Sequence, residues 1–361
     1  MFNRLQEIFR FRALKRFFTT HERLLIPLML LVGVVIDFVT FRSIQVSTAF
    51  LLLSVYTILA AMMILVIHRH DANHQLLERP SFYGYLRLVA PLILQLSFGA
   101  LLSAILIFYW FSGSFTVSWP IFTVLLALML GNEAFREHYL RPTVQMAVFY
   151  FVLLSTLATG LPSVLGSISP TVFVVSTVAS LVLMAGYLFL LYRVRPDLRF
   201  MRPSPVLSVI AIFSLMNAAY FLNLIPPIPL SLVESGVYHN VERRTGEYIL
   251  ESEEQSWWQR LLPSTTIHVD LGDRVYAYAS IFAPVDLNTT VIHHWQRLED
   301  NGWVSVNRLS YSIAGGREEG YRGYSYITNH SEGKWRVDVE TTRGQVIGRI
   351  RFTIEAKENS P

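Results

Sequence analysis

Long runs of apolar residues, separated by short polar connections, occupy the first two thirds of the chain. Seven runs lie at about 24–41, 46–67, 86–111, 116–132, 143–161, 170–192 and 205–225. The third, Leu86 to Phe111, contains one charged residue, Arg87. A helix rising about 1.5 Å per residue over that length exceeds a hydrocarbon core about 30 Å thick. The pattern predicts a multi-pass bundle of seven transmembrane helices over residues 24–225.

The hydrophobic pattern changes to an alternation of period two after residue 266. Apolar and polar positions alternate at 275–281, 335–340 and 346–354, which is typical of strands with one buried face. Further strands are predicted at 290–298, 302–308 and 321–328 because turn signals such as Asn301-Gly302 separate them. Short strands without intervening helices predict an all-β, Ig-like antiparallel sandwich over residues 266–357.

Residues 226–265 are predicted to be a linker and juxtamembrane segment. The sequence Pro226-Pro227-Ile228-Pro229 ends the last helix because proline removes the backbone donor that a helix needs. Trp257 and Trp258 lie close to Arg260. Their rings either sit at the level of the lipid headgroups or close the base of the following domain, and both alternatives stay open.

The amino-terminal segment, residues 1–23, mixes aromatic and aliphatic residues with Arg4, Arg10, Arg12, Lys15 and Arg16. This pattern predicts a basic amphipathic helix whose partner is the anionic inner leaflet of the lipid bilayer. The alternative is a charge cluster that sets the topology and binds nothing by itself. The apolar run that follows is long and lacks a small-x-small cleavage site, so we expect no cleavable signal peptide.

Composition and charge agree with a membrane protein and predict its orientation. Apolar residues make up 52% of the chain and charged residues 16%, against about 25% charged residues in soluble domains. Lysine and arginine of the membrane half concentrate in residues 1–23 and the connections at 68–87, 133–142 and 193–204, whereas the alternate connections hold only Arg42. The positive-inside rule then predicts a cytoplasmic amino terminus in the cell (inner) membrane, and a carboxyl-terminal domain that is periplasmic, in a bacterium, or extracellular.

Several motifs carry a resemblance to a known family. They are His293-His294-Trp295-Gln296, Gly315-Gly316-Arg317, Gly320-Tyr321-Arg322-Gly323-Tyr324, Trp335-Arg336-Val337-Asp338-Val339 and Gly344-Gln345-Val346-Ile347-Gly348-Arg349. This part resembles domain-of-unknown-function family 2914. The membrane half is similar to multi-pass members of that family through 37–42, 95–109, 118–120 and 131–133. The resemblance implies a membrane protein with an outer-facing β domain and no assigned activity; His294 departs from the arginine that such members often have.

Arginine and tyrosine dominate recognition surfaces, and both are frequent in the predicted strands. The predicted binding patch comprises His293, Trp295, Arg317, Arg322, Tyr324, Arg336, Asp338 and Arg349. The alternative is a ladder of charge pairs across a solvated sheet face, which the same alternation would produce. The patch would bind a protein or a glycan. Nucleic acid is not expected as a partner, because residues 231–361 carry a net charge of −4.

Four polar residues of the membrane half are candidates for a site. Asp37 lies near the outer end of the first run, with Arg42 within reach as a partner, and the two form either an interfacial pair or an ion or proton site. Gln95 and Glu133 both fall toward the cytoplasmic side. They either form a functional polar spot between helices or an ordinary helix-to-helix hydrogen bond.

No residue pattern predicts catalysis, a metal site or a cofactor. The chain has no cysteine, no Gly-x-Ser-x-Gly elbow and no phosphate-binding loop. His70 and His74 have metal-ligand spacing, but no third ligand accompanies them in what we predict is a cytoplasmic loop that also holds His68. We therefore favour a binding or scaffolding module over an enzyme acting at the outer face. The main alternative is a transporter or lipid-handling protein with a polar path between helices.

Overall fold

The computed structural model describes a helical region followed by a β-rich region. The described residues are 20–21, 28, 32, 35–36, 46–71, 82–113, 115–134, 141–200, 204–244, 247–253, 264–270, 272–283, 287–316 and 320–357. The predicted amphipathic helix within residues 1–23 lies almost entirely outside them. The same is true of the first apolar run and of the pair Trp257 and Trp258.

Six α-helices are present in the described part of the chain, and they coincide with the last six apolar runs. They are α1 Val46–Asp71, α2 Phe82–Ser112, α3 Phe115–Ala134, α4 Pro142–Leu165, α5 Pro170–Val194 and α6 Pro205–Phe221, with a 3₁₀ turn at Pro196–Phe200. Four of them contain spans long and apolar enough to cross a membrane: 48–69, 88–110, 142–165 and 170–194. The apolar helices at 117–129 and 205–221 are shorter, so the structure supports a membrane protein but not the count of seven.

The helices are joined by hydrogen bonds that the apolar pattern does not predict. Tyr187 of α5 donates to the carbonyl of Ala61 in α1 at 2.9 Å. His68, which we predicted to lie in a solvated loop, is part of α1 and only 1% exposed. Its ring bonds to Gln145 of α4 at 3.1 Å and to Arg195 at 3.1 Å. That prediction was wrong because the helix continues past the apolar run and buries the histidine against two polar partners.

In the described residues, ten β-strands follow the helices and form two main sheets and a hairpin. The strands are β1 Ser231–Tyr238, β2 Asn240–Arg244, β3 Glu247–Glu251, β4 Thr265–His268, β5 Val275–Phe282, β6 Asn288–Glu299, β7 Gly302–Ala314, β8 Tyr321–Ile327, β9 Gly333–Thr341 and β10 Val346–Glu355. One sheet has the order β1-β5-β8 and the other β4-β10-β9-β6-β7, while β2 pairs with β3.

Two features of the sheets differ from the sequence prediction. Strand β1 lies within residues 226–265, which we assigned to a linker, so the sheet begins well before residue 266. Strand β4 pairs with β10 in parallel, so the sheets are not purely antiparallel. The sequence of β4 does not show its partner, because alternation indicates which face of a strand is buried and not which strand lies beside it.

The two main sheets share one hydrophobic core. Ala277, Ala279 and Ile281 of β5 contribute from one sheet, and Trp295 of β6 and Trp335 of β9 contribute from the other. All five side chains are 1% exposed or less. The hairpin of β2 and β3 covers the outer face of the three-stranded sheet, where Val241 packs with Tyr276 and Tyr278. Charged residues lie on the outer face of the other, five-stranded sheet.

Candidate functional site

The outer face of the five-stranded sheet is covered by charged and polar side chains. Because neighbouring residues of a strand point to opposite faces, Arg336, Asp338 and Glu340 of β9 point away from the core that Trp335, Val337 and Val339 fill. We call the outward-facing side chains of this sheet that surround Arg336, Asp338 and Glu340 the arginine face. Its members are His294, Gln296, Trp303, Ser305, Arg308, Arg336, Asp338, Glu340, Arg349 and Arg351.

Asp338 and Arg349 form the centre of the arginine face. They are direct cross-strand neighbours on β9 and β10. Arg349 donates from Nε to Oδ1 at 2.5 Å and from Nη2 to Oδ2 at 2.8 Å. The Asp338 side chain is 5% exposed and that of Arg349 13%. The two-pronged geometry and the burial make this a fixed pair rather than an exchanging surface contact.

Gln296 joins the three neighbouring groups of the arginine face. Its Oε1 accepts from Nε and Nη2 of Arg336 at 3.0 and 2.6 Å. Its Nε2 lies 3.1 Å from Nδ1 of His294 and donates to Asp338 at 3.4 Å. The amide group thereby uses both its acceptor and its donor capacity. This fixes the position of the Arg336 guanidinium without neutralising its charge.

Glu340 is the second carboxylate of the arginine face, and it is 5% exposed. Arg308 of β7 donates to it, and Nδ1 of His294 lies 3.5 Å away. Burial raises the pKa of Glu340, while the charges of His294 and Arg308 oppose the rise. Nε2 of His294 is bonded to Ser305 at 2.9 Å. Both carboxylates of the face are thus paired with arginines on other strands, as in the ladder that the sequence offered as the alternative, but they are buried rather than solvated.

The arginine face has more guanidinium groups than carboxylates. Arg308 and Arg349 are paired with Glu340 and Asp338, which leaves the charges of Arg336 and Arg351 uncompensated within the defined face. These two arginines are direct cross-strand partners, a placement that is unfavourable for like charges. Burial, and then the charge of Arg349, lower the pKa of Arg336, while the charge of Asp338 opposes this fall. An anion placed beside this pair would relieve the repulsion.

The guanidinium of Arg336 contacts Trp303 at the edge of the sheet. The guanidinium carbon of Arg336 lies 4.4 Å from the centre of the Trp303 ring. Trp303 belongs to β7, which is the last strand of the five-stranded sheet. The guanidinium therefore extends across two strands, held by a cation–π contact.

The structure divides the predicted patch among three places. Arg336, Asp338 and Arg349 meet on the arginine face, as described. Arg322 and Tyr324 belong to β8 of the other sheet, so they are not part of that surface. His293 and Trp295 are 0% exposed and lie in the interior. Residue 317 is outside the described chain, and the binding role of the patch stays a prediction.

His293 is held between the two main sheets by a small polar network. Nδ1 lies 2.8 Å from Oγ of Ser325, and Nε2 lies 3.0 Å from the hydroxyl of Tyr311. Trp295 donates to the same Ser325 oxygen at 2.9 Å. Burial lowers the pKa of His293 to about 4. The imidazole is therefore neutral near pH 7, and its two bonds satisfy it as a core residue.

The membrane candidates are described only in part. Gln95 is 6% exposed, and its Nε2 has no hydrogen-bond partner among the described residues. Asp37, Arg42 and the side chain of Glu133 are not among the parts of the chain that the structure describes, so the predicted pairs stay predictions. Across the described ranges, no three histidines or acids gather as a metal site would require.

Seven residues of the arginine face were absent from the predicted patch: His294, Gln296, Trp303, Ser305, Arg308, Glu340 and Arg351. A signal for Gln296 exists in the sequence, because it alternates with His293 and Trp295. Once the tryptophan is assigned to the core, the glutamine must point outward. Arg308 and Trp303 could not be found in this way, because their contacts depend on how β7 pairs with β6.

Comparison with known proteins places a family match on these strands. The family model described as "Protein of unknown function (DUF2914)" matches residues 288–354, which confirms the resemblance predicted for the C-terminal region. No curated protein matches the chain. A similar solved structure is the Pseudomonas fluorescens alkylpurine DNA glycosylase AlkC bound to DNA containing an abasic site analog. It has 12% identity and a TM-score of 0.22, covering 87% of this chain and 100% of that chain, and so carries no argument about fold or function.

Proposed function

We propose that this protein is an integral membrane protein that displays its β domain on the outer side of the cell membrane. The domain binds carboxylate-bearing segments of a partner protein or glycan through the arginine face. Four membrane-spanning candidates and the lysine and arginine bias of the connections support the membrane anchor and its orientation. An odd number of crossings would carry the domain outside from a cytoplasmic amino terminus.

One observation supports the binding function: Arg336 and Arg351 lie opposite each other on neighbouring strands, and neither forms an ion pair of its own with a carboxylate of the arginine face. Gln296 and Trp303 hold one of these guanidinium groups in place, so little side-chain entropy remains to be lost on binding. Arginine presents its donors in a fork that matches a carboxylate. A fixed fork with excess positive charge is the arrangement expected for recognition of an acidic group.

The experiment compares binding of acidic and neutral polymers to the full chain in detergent micelles. Polyglutamate and polygalacturonate serve as acidic probes, and dextran serves as the neutral one. We expect both acidic probes to bind and the double variant Arg336→Ala/Arg351→Ala to lose about tenfold in affinity, the effect of one charge-assisted contact. Added salt should weaken binding.

The matched control is Arg243→Ala, which removes an arginine from the β2 hairpin, where it lies 5.9 Å from the Tyr248 ring. This variant should bind both acidic probes like the wild type. Equal losses in the control and in the double variant would mean that the binding follows net charge alone. Failure of the wild-type protein to bind either acidic probe would reject the proposed function.

A second candidate function, transport or lipid handling, is favoured by one observation in the helices. Several buried polar atoms have no hydrogen-bond partner among the described residues: Nε2 of Gln95 and the hydroxyls of Ser155, Thr156, Thr159 and Ser163. An unsatisfied buried hydroxyl costs about 1–3 kcal/mol, which water in a polar path would offset. Thr159→Cys in this cysteine-free chain tests it: a water-soluble maleimide should react with a hydrated path and not with a dry helix contact.

A further inference from the structure

A groove separates the edges of the two main sheets. Strand β7 pairs only with β6, and β8 pairs only with β5, in the part of the chain that the structure describes. Between them lies a cavity of about 750 Å³, lined by Val306, Leu309 and Tyr311 of β7 and by Tyr326, Ile327 and Asn329 of β8 and its following turn. Its volume is in the range of ligand-binding clefts, which are about 300–1,000 Å³.

One end of this groove is closed by a rigid contact. A Cβ at position 323 would lie 2.3 Å from the ring of Tyr311, so the tyrosine rests directly on the glycine backbone. Its hydroxyl is bonded to the buried His293. The network inside the core fixes this end of the groove. From Tyr311, the groove extends toward Val306 on β7.

Among the described residues, the edge of β7 lacks the usual protection against pairing. Natural edge strands carry charges, proline or a covering segment, but β7 has thirteen residues, no proline and a single charge, Arg308. Val304 and Val306 are 40% and 41% exposed. An added strand would find a long edge of backbone donors and acceptors, which is how sheets bind extended peptides.

Charges around the groove favour an acidic occupant. Strands β7 and β8 carry no aspartate or glutamate and two arginines, Arg322 and Arg308, of which Arg308 is paired with Glu340. The guanidinium of Arg336 reaches the same edge through its contact with Trp303. A peptide that pairs with β7 would therefore meet positive charge on the outer side of the sheet.

We propose that β7 takes up an extended peptide strand of a partner protein, in which carboxylate and apolar side chains alternate. The proposal rests on the proposed function and names its partner. One set of side chains of the added strand would lie beside Trp303, Ser305 and Arg308 on the arginine face. The other set would enter the groove beside Leu309 and Tyr311. The two-residue period of a strand requires this division.

The first experiment measures binding of a dye-labelled peptide of about eight alternating Glu and Val residues, which spans about 26 Å, to the full chain in micelles. A block peptide of four Glu followed by four Val has the same composition and charge. We expect the alternating peptide to bind about tenfold more tightly than the block peptide. Equal affinities would overturn strand addition.

The second experiment tests backbone pairing directly. A strand presents the N–H groups of alternate residues to each side, so the alternating peptide is N-methylated either on its odd or on its even residues. One methylated form should lose about tenfold or more in affinity and the other should bind like the parent. Two equal affinities, whether both are kept or both are lost, would contradict pairing along one edge.

Variants of the protein separate this inference from the proposed function. Thr328 lines the groove and is exposed, so Thr328→Trp should block the alternating peptide but leave polygalacturonate binding unchanged. Thr342→Trp, at the exposed turn between β9 and β10, is the matched control and should bind both. If polygalacturonate binds and Thr328→Trp leaves the affinity for the alternating peptide unchanged, strand addition is wrong and the proposed function stands. If Arg336→Ala changes neither ligand, the proposed function itself fails.

Discussion

The guanidinium of Arg349 donates two hydrogen bonds, of 2.5 and 2.8 Å, to the carboxylate of Asp338. The two residues lie on neighbouring strands, on the face opposite the hydrophobic core. Both side chains are largely buried. A surface pair of this type is worth little, whereas a buried one leaves a costly unpaired charge when either partner is removed. Loss of either partner should therefore destabilise the arginine face.

Removing one member of the pair should destabilise the β domain. We expect Arg349→Met to lower the free energy of unfolding by about 3–5 kcal/mol, because the Asp338 carboxylate loses its main partner. Thermal or chemical denaturation in detergent, followed by tryptophan fluorescence, measures the change. The double variant Asp338→Leu/Arg349→Met should recover much of the loss. Equal stabilities of the single and the double variant would contradict the coupling.

The buried imidazole of His293 makes stability depend on pH in a defined window. Its pKa is about 4 in the folded protein and 6.5 for an ordinary histidine, because burial disfavours the charged form. The unfolded chain therefore binds more protons between pH 6.5 and 4, and the contribution present above pH 6.5 is lost as the pH falls. The loss approaches about 3 kcal/mol at pH 4.

The measurement is the free energy of unfolding of the wild type and of His293→Gln over this pH range. The variant lacks the titrating group, so the difference between the two proteins should shrink or reverse as the pH falls. A difference that stays constant from pH 7 to pH 4 would show that His293 does not titrate with a lowered pKa.

Two glycines in the helices should respond in opposite ways to alanine. A Cβ at Gly160 of α4 would lie 1.8 Å from the ring of Phe50, whereas no atom of the described residues lies within 4 Å of one at Gly186 of α5. Overpacking of this kind costs about 1–3 kcal/mol. Gly160→Ala should therefore lower the melting temperature in detergent, and Gly186→Ala should keep or raise it. The same melting temperature in both variants would mean that Phe50 does not contact Gly160.

The predicted orientation can be tested without removing any native thiol, because the chain contains no cysteine. Thr342→Cys lies at an exposed turn of the β domain, and Phe200→Cys replaces a side chain that is 85% exposed in the connection between α5 and α6. A membrane-impermeant maleimide should label the first in intact cells and the second only after permeabilisation. The reverse result would place the β domain in the cytoplasm and exclude an outside partner.

Much of the fold was predictable because it depends on local patterns. The apolar runs predicted the positions of α1 to α6, and the alternation around Trp335 and Val337 predicted which side of β9 enters the core. The first sheet strand, β1, was missed. Its sequence, Ser-Leu-Val-Glu-Ser-Gly-Val-Tyr, has no strict alternation, and its pairing with β5 holds it in the sheet.

The site was predictable only where a single strand or one pair of adjacent strands decided it. Arg336, Asp338 and Arg349 share a face because β9 and β10 are consecutive and joined by a short turn. Arg322 was grouped with them by composition, yet its strand pairs with β5 in the other sheet. His293 was assigned to the surface because it is polar, although the hydroxyls of Ser325 and Tyr311 satisfy it inside the core.

By itself, the amino-acid sequence determined the class of most segments: the last six apolar runs became helices, and the period-two segments became strands with a core side and an outer side. These properties follow from hydrophobicity and from the repeat of one element. Only the tertiary structure decided which strands are neighbours, that β7 and β8 are left as edges, and that Gln296 joins Arg336 to Asp338. Strand pairing connects residues that are distant in the chain, and no local period specifies the partner.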